Sequence, residues 1–182
     1  MNELFTRNKN KVSFPTDYGT IVERVNSIDP LQYGKTRNFI DGAVTYLSPY
    51  ISRGVISVKQ VQESVLAKGY PRGAIEKFLQ ELAWREYFQR VWQAKGDLLF
   101  QDLKQPQNDV VHHQMIQALA EAITGIDAID QSISEFYNTG YLHNHVRMYV
   151  ASIACNIGSA NWLAPAQWMY YHLLDGDLAS NT

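Results

Sequence analysis

The chain has 182 residues, 46% hydrophobic and 19% charged, enough for one domain with a buried core and short for two. Its 16 basic and 18 acidic side chains leave a formal charge of −2, so no global positive field draws a polyanion; any nucleic-acid contact must come from a local patch. The single cysteine, Cys155, excludes a disulfide framework and a cysteine zinc cluster, and the most apolar stretch, 146–163, carries Arg147, Asn156 and Asn161 and so does not read as a membrane span.

Residues 1–15 lack periodicity and read as an N-terminal arm. The first twelve are polar and basic without the apolar run of a secretory signal, so a cytoplasmic setting is expected. Residues 16–182 read as one all-α domain punctuated by Gly and Pro. A helix is predicted over 16–28 on Ile21, Val22, Val25 and Ile28, and Asp29-Pro30 ends it. Residues 31–53 look irregular or briefly helical. A second helix follows Ser57 as N-cap, with Val58, Val61, Val65 and Leu66 on one stripe and Gly69 as terminator. The third, from Pro71 to about Ala94, spans roughly 35 Å at 1.5 Å per residue. A fourth is predicted over 110–123. A fifth starts at Asp127 and carries Ile129, Ile133, Phe136 and Tyr137 ahead of Gly140; a sixth covers 142–157 and a seventh 165–174. Nothing alternates at period two, so the fold class is all-α.

Several constellations carry possible chemistry. Glu81, Trp84, Arg85 and Phe88 fall at i, i+3, i+4 and i+7 on one face of the third helix. They make either an i,i+4 ion pair beside a core tryptophan, worth about 0.3–0.5 kcal/mol, or the wall of a cleft. Arg147 lies near the start of the sixth helix, where the macrodipole disfavours a cation; Asp175, Asp177 or a ligand phosphate could compensate it. His143 and His145, two apart, lack helical metal-ligand spacing, and no metal site is expected. The hydroxyls before Pro49 either cap a short helix or cradle an anion. No Walker loop and no G-x-G-x-x-G run is present. The segment Asp175-Gly176-Asp177-Leu178-Ala179-Ser180-Asn181 is a polar turn, either a fraying tail or a ligand-binding loop.

Taken in order, five stretches resemble the FAD-binding helical domain of the photolyase/cryptochrome family, closest to enzymes acting on cyclobutane pyrimidine dimers. They are Tyr33-Gly34-Lys35-Thr36-Arg37-Asn38-Phe39, Thr45-Tyr46-Leu47-Ser48-Pro49-Tyr50-Ile51-Ser52-Arg53-Gly54, Glu81-Leu82-Ala83-Trp84-Arg85-Glu86-Tyr87, Thr139-Gly140-Tyr141-Leu142-His143-Asn144-His145-Val146-Arg147-Met148, and the 175–181 segment. The resemblance implies FAD in a folded-back form. Tyr33 and the hydroxyl segment Thr45, Tyr46, Leu47 and Ser48 would hold the phosphates. Arg85 would lie over the cofactor, and Arg147 would pair with Asp175 beside the flavin ring. Asp177 and Asn144 would complete the lining, and Asn181 would offer its amide to the flavin. Asn181, Arg147, Asp175 and Glu81 would be the residues closest to the chemistry, with the protein tuning the cofactor's electronics.

The implied substrate is damaged DNA. Trp84 would stack on a flipped-out pyrimidine dimer, Glu81 and Asn144 would hydrogen-bond it, and Phe78 and Tyr141 would border it. Light-driven electron transfer from reduced FAD would split the dimer. Trp162 matches a member of the family's tryptophan electron-transfer chain. Val44 and Phe78 depart from the family pattern, standing where a threonine and a tryptophan are usual. The family's N-terminal α/β antenna domain and its C-terminal helices are not represented, so a second chain completing the fold is a further expectation. A cryptochrome-like photoreceptor or a non-catalytic helical module is the alternative reading.

Overall fold

A computed structural model describes residues 12–39 and 41–181. Most of the predicted arm, residues 1–11, therefore lies outside the described residues, as does Thr182. Residues 12–15 are non-helical but packed. Phe14 lies against the rings of Tyr46, Tyr50 and Tyr141, and the carbonyl of Pro15 accepts the Tyr50 hydroxyl at 2.8 Å.

Local capping chemistry sets the starts of the first helices. Helix α1 (Tyr18–Asn26) begins where the Asp17 carboxylate accepts the Thr20 N–H at 2.8 Å. Helix α2 (Pro30–Thr36) has Pro30 in its first turn, and Asp29 accepts from the N–H groups of Leu31 and Gln32. A short α3 (Ser48–Ser52) follows Tyr46, whose φ of 53° lies in the left-handed region. Helix α4 (Val58–Leu66) opens on a reciprocal cap between Ser57 and Gln60. The long α5 (Arg72–Lys95) runs into a 3-10 turn, Gly96–Phe100.

The predicted fourth helix over 110–123 is corrected: only α6 (Gln117–Ala120) forms. The backbone ahead of it pairs with a distant segment instead. Val111 N–H donates to Ser159, Asn161 N–H donates to His112, and the Gln107 amide spans Ala160 and Trp162. These partners satisfy the main chain without helix. Helices α7 (Asp127–Thr139), α8 (Asn144–Ser152) and α9 (Leu163–His172) follow expectation within a few residues. Helix α8 widens into a π-helical turn, Ile153–Ile157. The polar 175–181 segment closes with a helical turn, α10 (Leu178–Asn181).

The buried apolar residues form two clusters. One joins Ile21, Val25, Leu47, Tyr50, Val61, Val65, Ile75 and Phe78 from α1 and α3–α5. The other joins Leu119, Ile129, Ile133, Phe136, Leu142, Val146, Val150, Met169 and Leu173 from α6–α9 and the loops that flank them. Each fully buried member contributes about 1.5–3 kcal/mol relative to exposure.

The segment after α9 crosses the seam between the clusters. Leu174 N–H donates to Gly140 at 2.9 Å, and Arg53 Nε donates to the Leu174 carbonyl at 3.2 Å. Helix α10 packs on α5. Gly140, at φ 65°, ends α7 and lets Leu174 approach; a Cβ there would sit 2.5 Å from the Leu174 side chain. Among the described residues no helix is long and apolar enough to cross a membrane.

Candidate functional site

A cleft of about 280 Å³ lies along the seam and draws its walls from both clusters. Its floor is Tyr33 on α2, set edge-on against Phe78 at 5.0 Å, and the buried Leu47. Phe78 is only 4% exposed, so it supports the floor from the core. One wall is the α5 face carrying Glu81, Trp84, Arg85 and Phe88; the facing wall is the entry to α8, from Tyr141 to Arg147. Thr45 and Ser48 line one end, and Asp175, Asp177 and Ser180 line another.

The ion pairs differ from the i,i+4 reading. Glu81 pairs with Arg37, the C-cap of α2, at 2.8 Å, while Arg85 donates from Nη1 to Ser52 Oγ at 2.9 Å. Among the described residues, Ser52 is the only hydrogen-bond partner of Arg85, and no carboxylate forms an ion pair with it. Burial holds the Arg85 guanidinium below its ordinary pKa; the charges of Asp175 and Asp177 oppose that shift, and Arg147 adds to it.

Arg147 is fixed on two sides. Its Nη2 donates to both oxygens of the buried Asp175, at 2.9 and 3.0 Å, and its Nε donates to the Leu142 carbonyl at 2.8 Å. Asp175 thus supplies the anion that a cation in the first turns of α8 requires. Asp177 is likewise occupied: Oδ1 accepts the Ser180 N–H at 3.0 Å, and Oδ2 accepts the Gln89 amide from α5.

Two phenols and two imidazoles complete the polar lining. Burial first, then the nearby Glu81, raises the pKa of Tyr33. Burial, followed by Tyr46 and Asp175, raises that of Tyr141 further, so both remain neutral donors at physiological pH. His143 Nδ1 accepts the His145 N–H at 3.2 Å, and the two rings stack at 5.6 Å. The Nδ1 atom of His145 is buried with no hydrogen-bond partner among the described residues. Trp84 (54% exposed) and Asn144 stand toward solvent at the mouth.

Three expected residues do not line this cleft. Tyr46 backs Tyr141 edge-on at 5.0 Å. Asn181 donates its amide to the Ala166 carbonyl at 2.6 Å, joining α10 to α9. Trp162 precedes α9 and donates its indole N–H to Asp102 at 2.6 Å. The sequence motifs assign no individual roles to Arg37, Ser52 and Gln89. Arg37 and Gln89 had a usable signal, four residues after Tyr33 on α2 and four after Arg85 on α5. Ser52 had none, since its partners lie on other elements.

Residues 78–182 match the family model described as the FAD binding domain of DNA photolyase. The chain is 31% identical over 159 residues to cryptochrome DASH of Danio rerio, covering 82% of this chain and 30% of that protein. It is 30% identical over 159 residues to the deoxyribodipyrimidine photo-lyase of Synechococcus, covering 82% of this chain and 33% of that one. Among solved structures, a Synechocystis cryptochrome superposes with a TM-score of 0.79 at 26% identity, covering 94% of this chain and 38% of that chain. A class III photolyase from Agrobacterium tumefaciens shares the fold, with a TM-score of 0.76 at 23% identity, 90% of this chain and 36% of that one. The chain thus spans about a third of the length of the curated relatives it matches. With more than half its length matched by that family model, the chain belongs to the photolyase/cryptochrome family, as a helical FAD-binding domain.

Proposed function

We propose that the chain holds FAD in the cleft between its two clusters and serves light-driven repair of cyclobutane pyrimidine dimers in DNA. The observation that carries this reading is Arg85, a half-buried guanidinium in the cleft wall without an ion-pair partner among the described residues. A partly desolvated charge without a direct ion pair is costly, and an anionic ligand offsets that cost.

The donor set suits a flavin dinucleotide. Arg85 would hold the anionic part, and the hydroxyls of Thr45, Ser48 and the neutral Tyr33 are suited to phosphate oxygens. Arg147, locked to Asp175, would hold a fixed guanidinium beside the flavin ring. His145 Nδ1 is a buried polar atom still open to a ligand partner. To offer its amide to the flavin, Asn181 would have to give up its bond to Ala166.

When bound and reduced, FAD would supply a photoexcited electron. The residues of this chain bind, orient and hold charge. The exposed Trp84 offers a stacking plane at the mouth for a base taken out of the duplex. Glu81, held by Arg37, presents an acceptor at a fixed position, and Asn144 adds an amide. Damaged DNA is the partner in this reading, and a cytoplasmic setting, where the lone Cys155 stays reduced, goes with it.

The test combines FAD retention with illumination on dimer-containing DNA. Flavin retained with dimers lost supports repair. Flavin reduced by light without dimer loss transfers the chain to the photoreceptor reading, and a protein that takes up no flavin is a helical module without the cofactor.

A further inference from the structure

Arg85 lies close enough to Asp175 and Asp177 for both charges to act on it, yet it pairs with neither. Its restraint is a hydroxyl. Ser52 Oγ accepts from Arg85 Nη1 at 2.9 Å and donates its own proton to the Asp175 main-chain carbonyl at 3.2 Å. Because that proton is committed to the carbonyl, the oxygen lone pairs are left for the guanidinium. The anchor is firm: Ser52 closes α3, whose Tyr50 is buried in the first cluster, and the adjacent Arg53 holds the Leu174 carbonyl. One side chain therefore ties the long helix α5, the short helix α3 and the 174–177 loop at a single oxygen.

We propose that Ser52 is a positioning residue of the cofactor site: it holds the Arg85 guanidinium toward the cleft and away from the two carboxylates, so that its charge serves the anionic part of FAD. This rests on the FAD reading given above. Without the hydroxyl, Coulomb attraction would draw Arg85 onto Asp175 or Asp177, and a paired guanidinium attracts an anion less.

The experiment is a double-mutant cycle on FAD affinity, read by flavin fluorescence across a series of salt concentrations. S52A is expected to weaken FAD binding roughly tenfold, the range of a hydrogen bond to a charged group. It should also flatten the salt dependence, because the free cation is gone. Ser52→Thr, which keeps the hydroxyl, should bind nearly as wild type, whereas Ser52→Val, of the same shape without it, should behave as S52A. In an Arg85→Gln background, S52A should cost nothing further. Two results would overturn the proposal: an equal loss from S52A with and without Arg85, or equal affinities for the Thr and Val variants. The Thr and Val pair decides the matter if S52A fails to fold. Wild-type protein that takes up no FAD would instead refute the cofactor site itself, before any variant is compared.

Discussion

Arg147 and Asp175 show at residue scale how the cleft is stiffened. Asp175 is 7% exposed and both its oxygens face one guanidinium nitrogen, so removing either partner strands a largely buried charge. Asp175→Asn should lower unfolding free energy by roughly 3 kcal/mol, read as a fall in the urea midpoint at constant slope. Tyr141 and Tyr33 set an alkaline limit. Their folded pKa values lie above the ordinary tyrosine value, so the folded state keeps protons that the unfolded chain releases. Their contribution is therefore complete below about pH 10 and is lost as pH rises beyond it. Unfolding titrations should show stability falling above that pH, with a shallower fall in Tyr141→Phe. The types of residue in the site were legible from helical spacing: Glu81, Trp84 and Arg85 do share a wall. Their partners were not, because Arg37 and Ser52 reach α5 from other elements and no local spacing encodes that.

At the scale of elements, strong local signals matched the structure. The Ser57 cap and the Gly140 stop lie where the sequence placed them, while Asp29-Pro30, read as the end of the first helix, also caps and starts α2. Gly140→Ala combines a left-handed backbone with a contact on Leu174, and a loss of about 2 kcal/mol in chemical denaturation is expected. The 110–123 segment read as helix because its apolar residues suited one. What decided against it was pairing with residues 158–162, about 50 positions away in sequence and invisible to periodicity. Trp162 anchors that pairing through Asp102. On the electron-transfer reading, Trp162→Phe should abolish light-driven flavin reduction while FAD remains bound. Photoreduction at the wild-type rate would take Trp162 off the route.

Over the whole molecule, function follows from the split core. Two apolar clusters leave a seam, and the chain fills it with polar groups: three guanidiniums, three carboxylates, two phenols and two imidazoles line the cleft. Most of these charges neutralise one another, Arg37 with Glu81 and Arg147 with Asp175. Arg85 and Asp177 are left without an ion pair; Asp177 is satisfied by Gln89 and Ser180, so Arg85 is the one cleft guanidinium free of a direct ion pair among the described residues, which is why the cleft reads as an anion-accepting site despite a formal charge of −2. The all-α class and the family resemblance were legible in the sequence; the division of the core was not, since both clusters draw on the same kinds of apolar stripe. The most direct measurement is a titration of wild-type chain and Arg85→Gln with FAD, followed by flavin fluorescence, with both proteins shown to melt alike. Saturable binding by the wild type and at least roughly tenfold weaker binding by the variant is the predicted result. No uptake by the wild type, or equal affinity in the two proteins, would contradict it.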